Sequence, residues 1–370
     1  MRFGGNTLKR DLILSVILNP ASVQTLTMEE WDLLVRQGRR ANLLASLAVR
    51  FLDSGHMDIV PHNPKMHFMS ALRVVERQEA AILWEAQCIQ RELSRIGIPV
   101  ILLKGAAYVF ARLPNARGRV FTDVDVLFPK AQIPFVESEL MRQGWQGSHH
   151  DEYDQRYYRQ WMHEIPPMQH ISRGTTIDVH HTLLPETAKI RMDSSPLFHD
   201  AVAIGDSGLA VLNPTDMLLH SATHLFHEGE FENGLRDLLD LDSMFRDFGN
   251  TPGFWDCLIP RAQKLGLIRP LFYALRYCER ILETPIPLSV LMAAKLHSPA
   301  FWQLSIMDTC FHQALRPVHS STTSFGTQLA RFALYLRSHW LKMPAHLLVV
   351  HLGRKAIFRL IPRNPEKESA

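Results

Sequence analysis

The sequence has little of what marks a secreted, membrane-spanning or nucleic-acid-binding protein. It contains four cysteines in 370 residues, and no two of them have the CxxC spacing of a metal site. We therefore expect free thiols in a reducing compartment rather than a disulfide framework. No run of about 18 apolar residues occurs, so no transmembrane helix is expected. The formal net charge is only +3, which is too small by itself to indicate nucleic-acid binding.

The amino-terminal stretch also lacks the pattern of a signal peptide. Its short apolar part is interrupted by Lys9, Arg10 and Asp11. We therefore expect a cytoplasmic protein.

Acidic residues are missing from one long segment near the carboxyl terminus. None occurs between Asp308 and Glu366, although the segment is rich in Leu, Phe, Trp and basic residues. One interpretation is peripheral contact of residues 326–363 with an acidic partner or with the anionic inner surface of a membrane. The other is a helical hairpin packed on the body of the protein with a basic outer face.

The remaining composition is that of an ordinary globular chain, and its patterns predict an α+β protein. Apolar residues make up 46% and charged residues 21%. Helical spacing predicts an amino-terminal helical region over 1–95. A mixed α/β core is predicted over 96–184, because the apolar period shortens there. Helical patterns return over 185–308, and the basic apolar segment follows over 309–370.

Individual elements follow from local signals. A single helix is predicted from Met28 to Gly55, with Thr27 and Glu30 forming a capping box, and a second over 66–96. In the α/β core, IPVILLKG and VFTDVDVLF are predicted strands, and AAYVFARL and QIPFVESELMRQGW predicted helices. Aromatic and β-branched residues favour three further strands, in YDQRYYRQW, HEIPPMQHIS and TTIDVHHTL.

Two aspartates interrupt the apolar run VFTDVDVLF. Residues i and i+2 of a strand point to the same face, so Asp123 and Asp125 are expected to project side by side. Burying two unpaired carboxylates would cost several kcal/mol, so the pair requires a positive charge. Mg²⁺ suits such hard oxygen ligands. The alternative is an exposed strand end at which the two aspartates meet Lys or Arg.

A third carboxylate occurs in TTIDVHH, where Asp178 and His180 share a face by the same alternation. Three carboxylates that converge from adjacent strands could hold two metal ions for an in-line phosphoryl or nucleotidyl displacement. The third could also accept the proton of an attacking hydroxyl.

Basic residues and a glycine flank the predicted strands. The Lys104–Gly105 pair ends the first strand, where glycine permits close approach and helix N–H groups favour phosphate. Arg117 and Arg119 precede the two aspartates, and a guanidinium there could grip a triphosphate. The alternatives are an ordinary strand-to-helix turn and two solvated loop arginines.

Taken together, LLKGAAY, RGRVFTDVDVLF and IDVHHTL resemble the bacterial family of uncharacterised nucleotidyltransferases, within the polymerase-β-type superfamily. The resemblance is strong over 95–185 and looser through the flanking helices. It implies a small mixed-sheet nucleotidyltransferase core, with Asp123, Asp125 and Asp178 as catalytic residues and as ligands of Mg²⁺ or Mn²⁺.

The same resemblance implies a function. The chain would move an NMP from an NTP to an acceptor hydroxyl, with nucleotide contact at Lys104, Gly105, Arg119 and His180. The superfamily usually has Gly-Ser or Gly-Gly at the turn, whereas Ala106 follows the glycine here. We therefore expect Lys104 and backbone N–H groups to hold the phosphates. The acceptor is unassigned, and sequence-specific nucleic-acid binding is not predicted. The alternative function is a non-catalytic scaffold or regulator of the same fold that binds a partner or membrane through its basic carboxyl terminus.

A later predicted helix carries three histidines that could also form a functional site. His220, His224 and His227 fall on one helix face. Zinc binding, burial against the α/β core and contact with a substrate are all open interpretations. The glutamate of an HExxH zinc motif is absent, since Ser221 occupies its place.

Overall fold

A seven-stranded mixed sheet forms the centre of the protein. The computed structural model describes residues 11–97, 99–147, 152–344 and 346–348. The strands lie in the order β3-β4-β5-β2-β1-β7-β6. Their bounds are β1 Val100–Leu102, β2 Asp123–Leu127, β3 Trp145–Gly147, β4 Met168–His170, β5 Thr176–His180, β6 Val202–Ala203 and β7 Leu209–Val211. The mixed α+β class predicted from the sequence is confirmed.

The centre of the sheet is made of the strands that the sequence patterns predicted. β1 runs antiparallel to β2, and β2 runs parallel to β5. On the other side, β7 pairs in parallel with β1, so the sheet includes two short strands that lie beyond residue 184. The apolar strand β1 is completely buried, whereas β2 and β5 alternate buried apolar residues with polar ones.

Four α-helices of the described part of the chain precede the sheet: α1 Leu12–Leu18, α2 Met28–Arg40, α3 Leu44–Asp53 and α4 His62–Leu93. The predicted capping box of Thr27 and Glu30 is present at the start of α2. The prediction of one helix from Met28 to Gly55 is wrong. The chain turns between α2 and α3, where Asn42 has a positive φ of 55°, a conformation that asparagine tolerates better than most residues.

The helices within the α/β region are α5 Lys104–Phe110, α6 Ile133–Arg142, α7 Glu152–Trp161 and α8 Ser195–His199. The first two confirm the predicted helices. The strand predicted for YDQRYYRQW is wrong, because this segment forms α7. Tyr157 and Trp161, one helical turn apart, make an edge-to-face contact at 6.0 Å. Aromatic enrichment alone suggested a strand, but here the rings pair along a helix.

Among the described residues, seven α-helices follow the sheet and complete the core. They are α9 Pro214–His227, α10 Gly234–Phe248, α11 Phe254–Lys264, α12 Ile268–Leu282, α13 Leu288–Lys295, α14 Phe301–Ala314 and α15 Phe325–Lys342. Asn213 caps α9 as predicted, with its side chain accepting from the Asp216 N–H. Phe226, Tyr277 and Phe311 stack or meet edge to face where α9, α12 and α14 join.

The outer face of α15 is apolar rather than basic. Arg331 donates to the carbonyls of Ala314 and Arg316, and Arg337 donates to the carbonyl of Phe226. Both arginines therefore bind backbone oxygens of the body, and the predicted basic outer face of the hairpin is wrong at these positions. The large side chains that α15 exposes are Phe325, Leu329, Phe332, Leu336 and Trp340. The predicted contact region 326–363 lies outside the described residues after 348.

Two further expectations concern the whole chain. The four cysteines are free, and Cys88 and Cys278 are buried. In the part of the chain that the structure describes, no helix has the length and apolar character needed to cross a bilayer.

Candidate active site

Three aspartates lie together on one face of the sheet. Asp125 on β2 and Asp178 on β5 are direct partners in the parallel register, and Asp123 pairs with Thr176 at the beginning of the same ladder. Neighbouring strands are about 4.8 Å apart, so the side chains of Asp125 and Asp178 are adjacent. The opposite face is apolar and completely buried through Val124, Val126, Ile177 and Val179. The alternation within the two strands therefore brings the three predicted carboxylates together.

Lys104 reaches this cluster from the first position of α5. Its Nζ lies 2.8 Å from Oδ1 of Asp125. The backbone of Lys104 has a φ of 43°, which is unfavourable for a residue with a side chain. The preceding Leu103 donates its N–H to the carbonyl of Asp125 at 2.9 Å, which ties the turn to β2. Strain of this kind persists where the surroundings fix the conformation, as they do at this turn.

Gly105 allows two side chains to approach the start of α5. A Cβ at this position would lie 2.6 Å from Nη1 of Arg119 and 2.8 Å from Cδ1 of Phe121. Arg119 is nearly buried, and its Nε donates to Oδ2 of Asp240 at 3.0 Å. Its guanidinium also lies over the ring of Tyr108, 5.4 Å from the centroid. The predicted residues Gly105 and Arg119 thus depend on each other sterically.

A polar cavity of about 230 Å³ opens in front of these residues. Lys104, Arg119 and Arg236 supply positive charge to its walls, while Asp123 and Asp125 lie at one side. Such a volume is below the roughly 300 Å³ of small ligand sites, and it matches a group of phosphates better than a whole nucleotide. The other lining residues are Asn42, Gly105, Tyr108, Val120, Thr122, Ser221, His224, Glu230, Asn233, Asp237 and Asp240.

A second groove, of about 410 Å³, meets the polar cavity at Thr122 and Asp123. It runs between α4 and the start of β2 and is more apolar in character. Trp84 lines it with half of its surface exposed, and Arg173 lies 5.9 Å from the centre of the indole. Asp123 therefore lies at the junction of a charged cavity and an aromatic groove.

Two of the predicted site residues, His180 and Asp178, do not line the polar cavity. Arg117, which was considered for triphosphate binding, does not line it either. His180 lies behind Asp125 rather than in the lining of the cavity. Its Nε2 lies 2.9 Å from Oδ1 of Asp125, and its Nδ1 is 3.4 Å from Oε2 of Glu164. Asp178 is also outside the lining and lies beside Asp125 on β5. Arg117 is on the surface, where it forms a two-point ion pair with Asp53 at 2.9 Å.

The segment His163–Glu164 belongs to this region, although neither residue was predicted to be part of the site. Glu164 forms an isolated antiparallel bridge with His180, and the His181 N–H donates to the carbonyl of His163 at 2.9 Å. These backbone contacts place His163 and Glu164 beside β5. The predicted strand in HEIPPMQHIS is confirmed over Met168–His170, and His163 and Glu164 are the first two residues of that predicted segment. No local pattern marks them, because their role depends on which strand lies next to them.

Glu228, at the end of α9, completes this side of the region. Its Oε1 is 3.5 Å from Nε2 of His163, and its Oε2 is 3.4 Å from Nε2 of His224. The next residue, Gly229, has a φ of 80°, and a Cβ there would lie 2.5 Å from the side chain of Ser338 on α15. The close packing of α15 therefore fixes the loop that carries Glu228.

The three histidines of α9 do not converge. His220 and His227 are buried at 5% and 2% exposure, whereas His224 lines the polar cavity. Burial lowers the pKa of both buried histidines, that of His227 to about 4. In the chain as described, the group spaced for a metal ion is His163, Glu164 and His180 instead. The structure therefore favours the interpretation of this helix face as one buried against the core.

The carboxylates of the sheet carry unequal charge. Burial, followed by repulsion from Asp125 and Glu164, raises the pKa of Asp178 to about 7. Burial and Asp125 likewise raise the pKa of Asp123. Burial alone would raise the pKa of Asp125, but Lys104 and His180 outweigh it and hold the pKa well below its ordinary range. One carboxylate is thus neutralised by Lys104, and two remain without sufficient positive charge.

These residues fit a divalent cation. Oδ1 of Asp178 is buried and has no hydrogen-bond partner among the described residues, which is costly for a carboxylate. The donors offered by Asp123, Asp125 and Asp178 are oxygens, as Mg²⁺ and Mn²⁺ prefer. A cation held by these carboxylates would satisfy the free oxygen of Asp178 and relieve the repulsion that, together with burial, raises the pKa values of Asp123 and Asp178.

Comparison with known proteins identifies a family model that matches most of the chain. A family model described as "Uncharacterised nucleotidyltransferase" matches residues 27–283. No curated protein has a significantly similar sequence. Among solved structures, the chain is similar to an antigenic nucleotidyltransferase-like protein from Paracoccidioides brasiliensis, with 15% identity and a TM-score of 0.30. That similarity covers 57% of this chain and 95% of the other.

Proposed function

The chain belongs to the family of uncharacterised nucleotidyltransferases, and on that premise we propose that it transfers an NMP from an NTP to an acceptor hydroxyl and releases pyrophosphate. The observation that carries this proposal is the placement of Asp125 beside Asp178 on parallel strands. Asp123 lies on the same face, at the rim of a cavity lined by Lys104 and Arg119.

We propose that Asp123, Asp125 and Asp178 hold Mg²⁺ or Mn²⁺. When bound, the ions would supply charge neutralisation at the reacting phosphate and at the leaving pyrophosphate. Lys104 lies 2.8 Å from Asp125 and balances that carboxylate without an ion. It is therefore positioned to turn toward phosphate oxygens once the carboxylate has a metal partner.

The two adjoining recesses suggest how the nucleotide lies. The β- and γ-phosphates would occupy the polar cavity, where Lys104 and Arg119 would exchange their carboxylate partners Asp125 and Asp240 for phosphate oxygens. The reacting phosphorus would lie at Asp123, at the junction. The base would enter the second groove, where the exposed indole of Trp84 offers a stacking surface.

The proposed reaction is an in-line displacement. The acceptor oxygen forms a bond to the α-phosphorus, and the bond from that phosphorus to the bridging oxygen of the β-phosphate breaks. The acceptor proton passes to Asp178, which lies beside Asp125 on the neighbouring strand. Lys104 and Arg119 stabilise the negative charge of the departing pyrophosphate.

The test is nucleotide transfer from each labelled NTP, with Mg²⁺ or Mn²⁺, to the components of a cell extract. We expect one NTP to label an acceptor, and the double variant Asp123→Ala/Asp125→Ala to lose the transfer. Arg117→Ala is the matched control, because Arg117 pairs with Asp53 away from the cavity. Full transfer by the double aspartate variant would contradict the proposal.

A second candidate is a non-catalytic scaffold or regulator that binds a partner or membrane surface through α14 and α15. The observation in its favour is the set of large apolar side chains these helices expose, among them Phe301 at 90% and Phe325 at 80%. Co-sedimentation with anionic liposomes that is lost in Phe332→Ser/Trp340→Ser, without any effect of NTP and metal on thermal stability, would favour this candidate.

A further inference from the structure

We refer to Asp123, Asp125 and Asp178 as the aspartate cluster. A second group of potential metal ligands lies next to it, on the side of Asp125 that faces His180. His163, Glu164 and His180 each offer one ligand atom, and these atoms lie within 4.8 Å of one another. His163 and His180 are buried, while Glu164 keeps 18% of its side chain exposed. We refer to these three residues as the histidine cluster. It differs from the aspartate cluster because two of its three donors are nitrogen atoms.

The spacing of the histidine cluster is that of ligands around an ion rather than of hydrogen-bonded groups. Nδ1 of His180 is 3.4 Å from Oε2 of Glu164, and Nε2 of His163 is 4.0 Å from the same oxygen. Good hydrogen bonds between nitrogen and oxygen are shorter, at about 2.7–3.2 Å. Two ligands at about 2.0–2.1 Å from a tetrahedral zinc ion are separated by about 3.3 Å. The three atoms therefore surround a space of suitable size with only a small contraction.

The orientation of His180 is also that of a metal ligand. Its Nε2 lies 2.9 Å from Oδ1 of Asp125, so the carboxylate can hold the proton on that nitrogen. This leaves Nδ1 as the free acceptor that faces Glu164. Metal-bound histidines usually have such a carboxylate behind them, because it fixes both the ring and its tautomer.

A fourth ligand is within reach. Oε1 of Glu228 lies 3.5 Å from Nε2 of His163, which is again close to a ligand–ligand distance. Two glutamates would balance the charge of a divalent ion bound by two neutral histidines. Glu164 and Glu228 are also the partly exposed members of the set, with side chains exposed by 18% and 16%, so an ion can enter from their side.

We propose that His163, Glu164, His180 and Glu228 form a second metal site, selective for a borderline ion of the zinc class. Two imidazoles and two carboxylates suit Zn²⁺ better than Mg²⁺. The site is separate from the proposed magnesium site, and the two meet at Asp125, which hydrogen-bonds both Lys104 and His180. A bound ion would hold His180, and thereby Asp125, in a fixed position.

This inference does not rest on the proposed nucleotidyl transfer, and its test reads metal content rather than activity. The full chain is stripped with a chelator and then titrated with Zn²⁺, with Co²⁺ as a spectroscopic probe of coordination. We expect one tightly bound Zn²⁺ per chain and a Co²⁺ spectrum typical of four nitrogen and oxygen ligands. Glu164→Gln and His163→Gln should weaken zinc binding about 100-fold or more, since even loss of an outer partner costs 10–100-fold.

Two controls make the outcome decisive. His199→Gln removes an exposed histidine that also pairs with a neighbouring carboxylate, at 2.7 Å, and should leave zinc binding unchanged. Asp123→Asn should abolish magnesium-dependent nucleotide effects but retain zinc, which separates this proposal from the proposed function. Glu164→Gln has a similar shape and decides the matter if His163→Gln does not fold. The proposal is overturned if the stripped wild-type chain takes up no Zn²⁺, or if folded Glu164→Gln binds it equally well.

Discussion

Asp178→Asn is expected to stabilise the metal-free protein while abolishing its activity. Asp178 lies beside Asp125 on the neighbouring strand, and its buried Oδ1 has no hydrogen-bond partner among the described residues. Burial and repulsion from Asp125 raise its pKa from the ordinary value of 3.8 to about 7. A neutral amide removes the charge that causes this penalty, and it also removes the proposed metal ligand and general base.

The size and the pH dependence of the effect follow from that pKa. Raising it from 3.8 to about 7 corresponds to up to about 4 kcal/mol. The folded protein binds the proton of Asp178 more tightly than the unfolded chain does. The free-energy cost of ionising Asp178 in the folded protein is therefore absent below the unfolded pKa. The penalty grows as the pH rises and is complete above the folded pKa. The wild-type protein should therefore lose stability between these two values, and the variant should lose less.

The assay is urea unfolding in the presence of a chelator, at mildly acidic and mildly alkaline pH. The variant should exceed the wild type by up to about 4 kcal/mol at alkaline pH, with a smaller difference at acidic pH. Asp58→Asn is the control, since that side chain is 96% exposed and should change stability by less than about 0.5 kcal/mol. In the transfer assay the rate should fall by about 10²–10⁴-fold. A variant no more stable than the wild type at alkaline pH would refute the electrostatic reasoning.

Three further substitutions probe the surroundings of the site. Gly105→Ala places a methyl group 2.6 Å from Nη1 of Arg119, so we expect a loss of about 1–3 kcal/mol in thermal unfolding and a higher KM for the NTP. An unchanged KM with unchanged stability would show that Arg119 can move freely. Asp240→Asn removes the charged partner of the buried Arg119 and should cost about 3–5 kcal/mol in urea unfolding; a loss below 1 kcal/mol would mean that solvent already screens the pair. Arg117→Ala breaks an exposed ion pair with Asp53 and should change the unfolding free energy by no more than about 1 kcal/mol, with transfer unaffected. A large effect there would place the surface loop in the reaction.

Local sequence patterns were sufficient for the strands that carry the aspartates. The alternation in VFTDVDVLF predicted that Asp123 and Asp125 share a face, and the run in TTIDVHH predicted a strand with Asp178. Their alignment across β2 and β5 is a property of the whole sheet, and the local patterns only allowed for carboxylates that converge from adjacent strands. Period and propensity act within one element, whereas register depends on which elements become neighbours.

Predictions failed where tertiary contacts override composition. YDQRYYRQW is rich in aromatic residues, yet it forms a helix whose rings pair along its axis. The break at Asn42 separates two helices that the apolar spacing joined. Neither Glu164 nor Glu228 was predicted as a site residue, because one comes to the site through a bridge to β5 and the other from the end of α9. Nothing within either segment distinguishes these glutamates from solvent-exposed ones.

The packing of α15 against Gly229 links the outside of the protein to its interior. The same helix exposes Phe332 and Trp340 to solvent and, on its inner side, brings Ser338 against the loop that follows Glu228. Deleting α15 to test surface binding would therefore also release a proposed metal ligand, so point substitutions on the outer face are the cleaner choice. A partner that docked on the outer face of α15 could shift this helix and, through the contact of Ser338 with Gly229, change the position of Glu228. Partner binding and catalysis would then be coupled through α15, and the two proposed functions would not exclude each other.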